Sequence, residues 1–231
     1  VEFQPGYKPS WQSHYSASFQ TLNGIGANWV VIPMTWTFTR DALPVLQADP
    51  GNDALWTDLV QQVALARQNG LNVAIAPSVR FEIASQDWWR GGAKDPGWWD
   101  GFFDQYGTYL RHAADFAAVN DVSAILLGDS AVLPAYPGMG LVDGSPATQP
   151  DDVQDRWNNM VAGLRSRYSG QLLLQVEFTG GNPVAALPAN LFDGIYLIWS
   201  APLTMADEPS APDIEVEMGR LLDEEIAPFQ L

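Results

Sequence analysis

Short apolar runs rich in valine and isoleucine alternate along the chain with longer segments of helical period. Each run is bounded by Gly, Asn or Pro, which is typical of strands buried on both faces of a parallel sheet. Val1–Phe3 is interpreted as the end of one such strand. The other five predicted strands are Trp29–Pro33, Asn72–Pro77, Ser123–Leu127, Leu172–Phe178 and Gly194–Trp199.

The segments between these strands carry the start and end signals of helices. Asp and Pro favour the first turn of a helix, and Gly favours its end. An apolar stripe repeats at helical spacing within each segment. Four helices are predicted. The first is capped by Asp53 and ends at Gly70, and the second begins at Asp95-Pro96. The third begins at Asp151 or Asp152 and ends at Gly170, and the fourth covers Pro212–Ile226.

The alternation of strands and helices predicts an α/β fold. We favour a (β/α) TIM-type barrel over a doubly wound sheet, because no Gly-rich phosphate loop follows the first strand and the loops after the strands are aromatic. About six βα units are visible of the eight that a barrel needs. We therefore expect one domain over residues 1–231 with an incomplete barrel. Three explanations stay open: loss of the units after the sixth strand, a longer parent chain, or an oligomeric partner that closes the barrel.

The composition narrows the classes of ligand. A formal net charge of -16 repels phosphate backbones and anionic lipids, so neither nucleic acid nor a membrane surface is an expected partner. No apolar stretch is long enough to cross a bilayer, which argues against membrane insertion. Ten tryptophans favour a neutral carbohydrate ligand, because an indole face stacks on the apolar face of a sugar ring.

The sequence lacks the residues that several kinds of catalytic site require. Zero cysteines exclude thiolate nucleophiles and Cys-based metal sites. The two histidines, His14 and His112, have no metal-ligand spacing, and HExxH, GxSxG, P-loop and dinucleotide motifs are all missing. We therefore expect no metal and no cofactor.

Two carboxylates are the candidates for catalysis. Functional residues of a β/α barrel lie at the carboxyl ends of its strands, and Asp129 and Glu177 follow two adjacent predicted strands. Glycoside hydrolysis needs one protonated and one ionised carboxyl group. Two structural alternatives stay open. The Gly-Asp-Ser context of Asp129 also fits a turn or helix cap, and Glu177 could instead pair with Arg80 or Lys8.

Aromatic and polar residues at the same predicted rim are candidates for sugar binding. Rings stack on sugars, and polar groups bind their hydroxyls. The alternative is that Trp36 and Trp199 only fill the mouth of the barrel and that Arg80 pairs with Glu82 or Asp129, with no reaction. The candidate substrate-binding residues are Tyr7, Trp11, Trp36, Arg80, Glu82, Trp89 and Trp199.

Six segments, in order along the chain, resemble the barrel of the clan A glycoside hydrolases. The pattern is most similar to that of the family 113 β-mannanases and their uncharacterised relatives. The resemblance implies a TIM barrel that acts on or binds a β-linked polysaccharide, in an extracellular or cell-surface location. The segments are GANWVVIPMTWTF, GLNVAIAPSVRFE, DPGWWDGFFDQYGTYLRHAADFA, LLGDS, RWNNMVAGLRSRYSG and FDGIYLIWSAPL.

Two departures from the family pattern bear on catalysis. The resemblance implies an acid/base Glu after strand four in a Gly-x-Glu context, whereas alignment on Gly128 places Ser130 there and Asp129 just before it. It also implies a nucleophilic Glu at the end of strand seven, and we expect the chain to stop before that strand. Two hypotheses follow: a glycoside hydrolase that uses Asp129 or Glu177, and a non-catalytic degenerate barrel that serves as a carbohydrate-binding or scaffold domain.

Overall fold

The fold is built on one six-stranded, mostly parallel sheet. The computed structural model describes residues 7–40, 42–141, 143–180, 189–204 and 210–227. The strand order is β2-β1-β3-β4-β5-β6; β2 pairs antiparallel with β1, and all other neighbours are parallel. The strands are β1 (Trp29–Arg40), β2 (Val45–Gln47), β3 (Asn72–Phe81), β4 (Ala124–Leu127), β5 (Gln171–Phe178) and β6 (Gly194–Trp199).

Helices connect the parallel strands. Three short 3₁₀ segments, Pro9–His14, Ser130–Ala135 and Ala189–Leu191, also occur in the described ranges, and a π-helical turn, Leu222–Ile226, follows the last helix. None of the described helices is long and apolar enough to cross a membrane. The helices are α1 (Tyr15–Gly24), α2 (Trp56–Gln68), α3 (Ser85–Arg90), α4 (Pro96–Val119), α5 (Val153–Arg165) and α6 (Ala211–Leu221).

All five predicted strands within the described ranges are confirmed, and the structure adds one. β1 and β3 continue several residues past the predicted ends at Pro33 and Pro77, because they pair with each other in register as far as Phe38 and Phe81. The short β2 was not predicted. The strand expected at Val1–Phe3 lies outside the described residues.

The two faces of the sheet differ in side-chain size. The face that packs on the helices carries large residues such as Ile32, Met34 and Phe38. The opposite face carries small ones, among them Ala74 and Ala124. This second face corresponds to the inside of a barrel, and we call it the inner face. Over the described residues the sheet runs from β2 to β6 without closing, in agreement with the incomplete barrel that the sequence predicts.

Helix α4 supplies more of the buried aromatic residues than any other described element. It begins as predicted: Pro96 occupies the first turn, and the Asp95 carboxylate accepts a hydrogen bond of 2.8 Å from the backbone N–H of Trp98. Stacked rings continue from Trp98 through Phe102 to Tyr106. Such ring pairs add to the free energy gained by burial.

The predicted cap at Asp53 is wrong. Leu55 is the N-cap residue of α2, and the backbone N–H of Leu55 donates to the Asp58 carboxylate at 3.0 Å. Asp53 is instead fully buried, away from the helix start. The limits of the other helices are closer to the predicted ones. α5 ends at Arg165 rather than at Gly170, and α6 begins at Ala211 rather than at Pro212, with Ser210 as its cap.

Replacing Asp95 with Ala tests the start of α4. The substitution removes the acceptor for the N–H of Trp98, so the free energy of unfolding should fall by about 1 kcal/mol, within a usual range of about 0.5–2 kcal/mol. Urea unfolding measures the loss. Asp104→Ala is the control, because it removes the same charge from an exposed position within the same helix. Equal effects of the two substitutions would contradict the capping role.

Candidate functional site

Polar side chains replace the small apolar ones where the inner face reaches the carboxyl ends of the strands. In the register of β1 and β3, Thr35 lies opposite Ser78 and Thr37 opposite Arg80. Side chains alternate along a strand, so these four share the face of Ala74. Glu177 occupies the same face near the end of β5, opposite Ile198 of β6.

Arg80 is held by a buried carboxylate. Its guanidinium forms an ion pair with Asp53, which is 0% exposed. The hydroxyl of Thr37 donates to the same carboxylate at 3.0 Å, and the backbone N–H of Asp49 donates at 2.8 Å. Burial raises the pKa of Asp53, while these hydrogen bonds and the charge of Arg80 act in the opposite direction. The pairing of Arg80 with Glu82 or Asp129, considered as an alternative, is not among the described ion pairs, in which Arg80 is paired with Asp53.

The side chain of Arg80 keeps 33% of its surface exposed. Its partner Asp53 is a site residue that the sequence interpretation missed, because its place before α2 was taken as a cap. The loop before α2 lies at the carboxyl end of β1, where functional residues of a β/α barrel are expected, and this position could have identified Asp53 as a site residue. The pair therefore presents a fixed and partly exposed cation at the predicted rim.

Asp129 acts as a structural link. One carboxylate oxygen accepts from the backbone N–H of Val79 at 2.7 Å, and the other accepts from Ala131 at 2.9 Å. The side chain thus caps the 3₁₀ turn Ser130–Ala135 and fastens it to the end of β3. These contacts match the cap that the Gly-Asp-Ser context allowed.

Gly128 brings the end of β4 close to β5. Its φ of +126° lies in the region that favours glycine, and an added Cβ would come within 2.5 Å of the carbonyl oxygen of Gln175. The loop that carries Asp129 therefore depends on glycine at this position.

Glu177 is exposed. The hydroxyl of Ser200, at the end of β6, lies 3.5 Å from its carboxylate. Among the described contacts, Glu177 forms no ion pair with Arg80 or Lys8, so the salt bridge considered for it is not observed. Asp129 and Glu177 thus follow adjacent strands as predicted, but Asp129 is tied to the backbone while Glu177 faces solvent.

Three of the candidate tryptophans lie in the packing behind the sheet. The ring of Trp36 contacts Tyr109 at a centroid distance of 5.0 Å. Trp89 is buried, and its indole N–H donates to the carbonyl of Ala131 at 2.8 Å. Trp199 packs on Phe178, with ring centroids 5.0 Å apart. Trp89 belongs to the buried core, whereas Trp36 and Trp199 are partly buried and pack against the hydrophobic clusters.

The other three candidates are more accessible. Trp11, in the 3₁₀ segment before α1, is 39% exposed. Tyr7 is partly buried and accepts a 3.2 Å hydrogen bond from the side chain of Gln12. Burial raises the pKa of Tyr7, and a hydrogen bond with Asp58 adds to the effect. Glu82 is exposed just beyond β3.

The histidines do not form a metal site. His112 lies between Trp36 and Trp56, with ring centroids 5.1 and 4.9 Å away. His14 is exposed in the segment before α1. The residues that the structure describes contain no group of three or more His, Asp or Glu side chains that could hold a metal ion.

Comparisons with known proteins identify the fold. No protein-family model and no curated protein matches the sequence. Solved structures do: a GH113 β-1,4-mannanase has a TM-score of 0.63 at 15% identity, over 85% of this chain and 60% of that one. A complex structure of a GH113 β-1,4-mannanase gives 0.64 at 15% identity, over 97% and 70%. The chain therefore shares the TIM-barrel-type fold of these glycoside hydrolases.

Two further structures have a similar fold. The GH113 β-mannanase from Alicyclobacillus acidocaldarius, in complex with ManMIm, has a TM-score of 0.58 at 17% identity, over 76% of this chain and 53% of that one. A GH5_18 variant from Streptomyces cattleya, in complex with Manβ1-4GlcNAc, gives 0.50 at 16%, over 72% and 40%. This chain therefore spans between 53% and 70% of the length of these mannanases.

Replacing Asp53 with Asn tests the buried pair of Asp53 and Arg80. The change leaves the Arg80 cation without its charged partner, so the free energy of unfolding should fall by about 1.5–3 kcal/mol. Asp121→Asn is the control, because Asp121 pairs with Arg67 at 3.2 Å on the surface, where an ion pair contributes under about 1 kcal/mol. Denaturant unfolding of both variants checks the difference, and equal losses would refute it.

His112 should make the stability of the barrel depend on pH. Burial lowers the pKa of its imidazole, so the folded chain takes up the proton less readily than the unfolded chain. The free energy of unfolding should therefore fall as the pH drops below about 6.5, the usual value for histidine. His112→Phe should flatten this dependence between about pH 5 and 7.5, where carboxylates of ordinary pKa stay ionised.

Thermal unfolding across that range measures the dependence. His14→Gln, at an exposed position, is the matched control and should keep the wild-type dependence. A His112→Phe profile parallel to that of the wild type would show that another group is responsible.

Proposed function

We propose that this clan A-type barrel binds a β-linked polysaccharide across the carboxyl ends of its strands. The observation that carries the proposal is the partly exposed Arg80, fixed by buried Asp53, on the same face as the exposed Glu177. Guanidinium and carboxylate groups can together donate to and accept from sugar hydroxyls. The GH113 and GH5_18 structures in complex with ManMIm and Manβ1-4GlcNAc support a β-mannoside as the first ligand to test.

Aromatic stacking would come from the segment before α1. Trp11 is the exposed ring of the candidate set, and Tyr7 lies close to it along the chain. α1 leads into the amino end of β1, so the segment that precedes α1 lies on the side of the carboxyl ends. A sugar chain could therefore rest on Trp11 while its hydroxyls contact the inner-face residues.

We further propose that the site holds sugar without cleaving it. Hydrolysis with acid/base catalysis needs two carboxyl groups in complementary protonation states. Glu177 is available for such a role, whereas both oxygens of Asp129 accept backbone hydrogen bonds. Hydrolysis by Asp129 and Glu177 remains the second candidate, favoured by their places after adjacent strands. An extracellular or cell-surface location goes with a polysaccharide ligand of this kind.

Calorimetric titration with mannan, glucan and xylan oligomers, run beside a reducing-sugar release assay, tests this proposal. We expect saturable binding without release. Glu177→Gln should weaken binding about tenfold, equivalent to about 1.4 kcal/mol. Glu215→Gln, at an exposed position on α6, is the matched control and should bind as the wild type does.

Asp129→Asn separates the two candidate functions. If Asp129 is a structural link, the variant should lose stability but bind oligomers with the wild-type affinity wherever it is folded. The hydrolase would be established instead if the wild type releases reducing sugar and both Asp129→Asn and Glu177→Gln lose this activity. Failure of every oligomer to bind would refute the carbohydrate proposal.

A further inference from the structure

A separate pocket lies beside the carboxyl ends of β3 and β4. It is formed between the segment that joins α3 to α4 and the loop that follows β4, and its volume is about 270 Å³. Pockets for small molecules begin at about 300 Å³, so this one is sized for a small ligand such as a monosaccharide. Its lining is Trp89, Arg90, Gly92, Lys94, Trp99, Pro134, Leu141, Pro146, Ala147 and Thr148.

The charge of this lining is opposite to that of the chain. The protein has 27 acidic and 11 basic residues, yet the described lining contains two cations, Arg90 and Lys94, and no Asp or Glu. Arg90 already has a charged partner, because its guanidinium forms an ion pair with Asp143. The Lys94 ammonium is held in place by the carbonyl of Gly91, at 2.6 Å, and by the ring of Trp98, at 4.7 Å from its centroid. A cation fixed in this way favours an anionic ligand.

A buried donor in the same lining has no acceptor. Trp99 is 2% exposed, and its indole N–H has no hydrogen-bond partner among the described residues. Trp89, which also lines the pocket, is satisfied by the carbonyl of Ala131. Buried polar groups are normally paired, so an unpaired N–H beside a pocket indicates an acceptor that a ligand could supply.

We propose that this pocket binds a hexuronic acid, either free or as a residue of a polysaccharide. The carboxylate would face Lys94, beside the ion pair of Arg90 with Asp143. A ring or hydroxyl oxygen would accept from Trp99, and the hydroxyl of Thr148 can donate or accept. The apolar walls at Pro134 and Leu141 suit the C–H face of a sugar ring. The pocket is distinct from the Arg80 and Glu177 face, so this proposal goes beyond the proposed function and does not depend on it.

Titration of the full chain with D-glucuronate, D-glucose and acetate tests which chemistry the pocket recognises. Glucuronate should bind at least about tenfold more tightly than either of the others. Equal binding of glucose would show that the carboxylate is not recognised, and equal binding of acetate would show that the sugar is not. Either result, or the lack of saturable glucuronate binding, overturns the proposal.

Substitutions place the binding in the pocket. Lys94→Gln should weaken glucuronate binding about tenfold, whereas Lys8→Gln, which removes the only other lysine, should leave it unchanged. Glu177→Gln should also leave glucuronate binding unchanged. A loss of glucuronate binding at this pocket can therefore be distinguished from a loss of oligomer binding at the inner face. Equal loss in Lys94→Gln and Lys8→Gln would refute the assignment.

A direct observation avoids dependence on variants that fold poorly. The indole N–H signal of Trp99 can be assigned in a nitrogen–proton correlation spectrum by its disappearance in Trp99→Phe, which keeps a ring in place. During titration of the wild type with glucuronate this signal should shift, and glucose should not shift it at the same concentration. A Trp99 signal that does not move at saturating glucuronate overturns the proposal.

Discussion

The packing of α4 against β1 and β3 is the interaction on which the rest of the structure depends. Rings of α4 and β1, such as Phe102 and Phe38, stack at a centroid distance of 5.5 Å, and the hydroxyl of Tyr109 donates to the backbone at the ends of the strands. This packing occupies the helix-facing side of the sheet with large side chains. The inner face is then left to small and polar residues, and its carboxyl end becomes the place where charged groups gather.

Charged groups at this end have two different roles. Asp53 and Asp129 face the protein and hold the strand ends in place, one through the Arg80 ion pair and one through backbone hydrogen bonds. Arg80 and Glu177 reach the surface and can meet a ligand. A carboxylate at the end of a barrel strand is therefore not in itself a catalytic group. Its hydrogen-bond partners decide whether it positions the loop or contacts the substrate.

The fold was predictable because its signals are local. Valine-rich runs between Gly and Asn located the starts of the predicted strands to within one residue, although β1 and β3 end later than predicted, and Asp95-Pro96 located the start of α4. The roles of Asp53 and the tryptophans were not predictable, since they depend on which face of a strand or loop meets a partner distant in sequence. Trp36 and Trp89 lie near the predicted rim but point into helix packing. The pocket at Lys94 and Trp99 joins two loops that no sequence motif connects.

The order of the strands has a consequence for how the molecule assembles. Apart from the short β2, each strand pairs with its predecessor in the chain, from β1 through β3, β4 and β5 to β6. Every new pairing therefore closes a loop only one crossover long, which limits the entropy cost of each step. The sheet can grow one unit at a time during synthesis, and a unit added at the β6 edge leaves all earlier pairings intact.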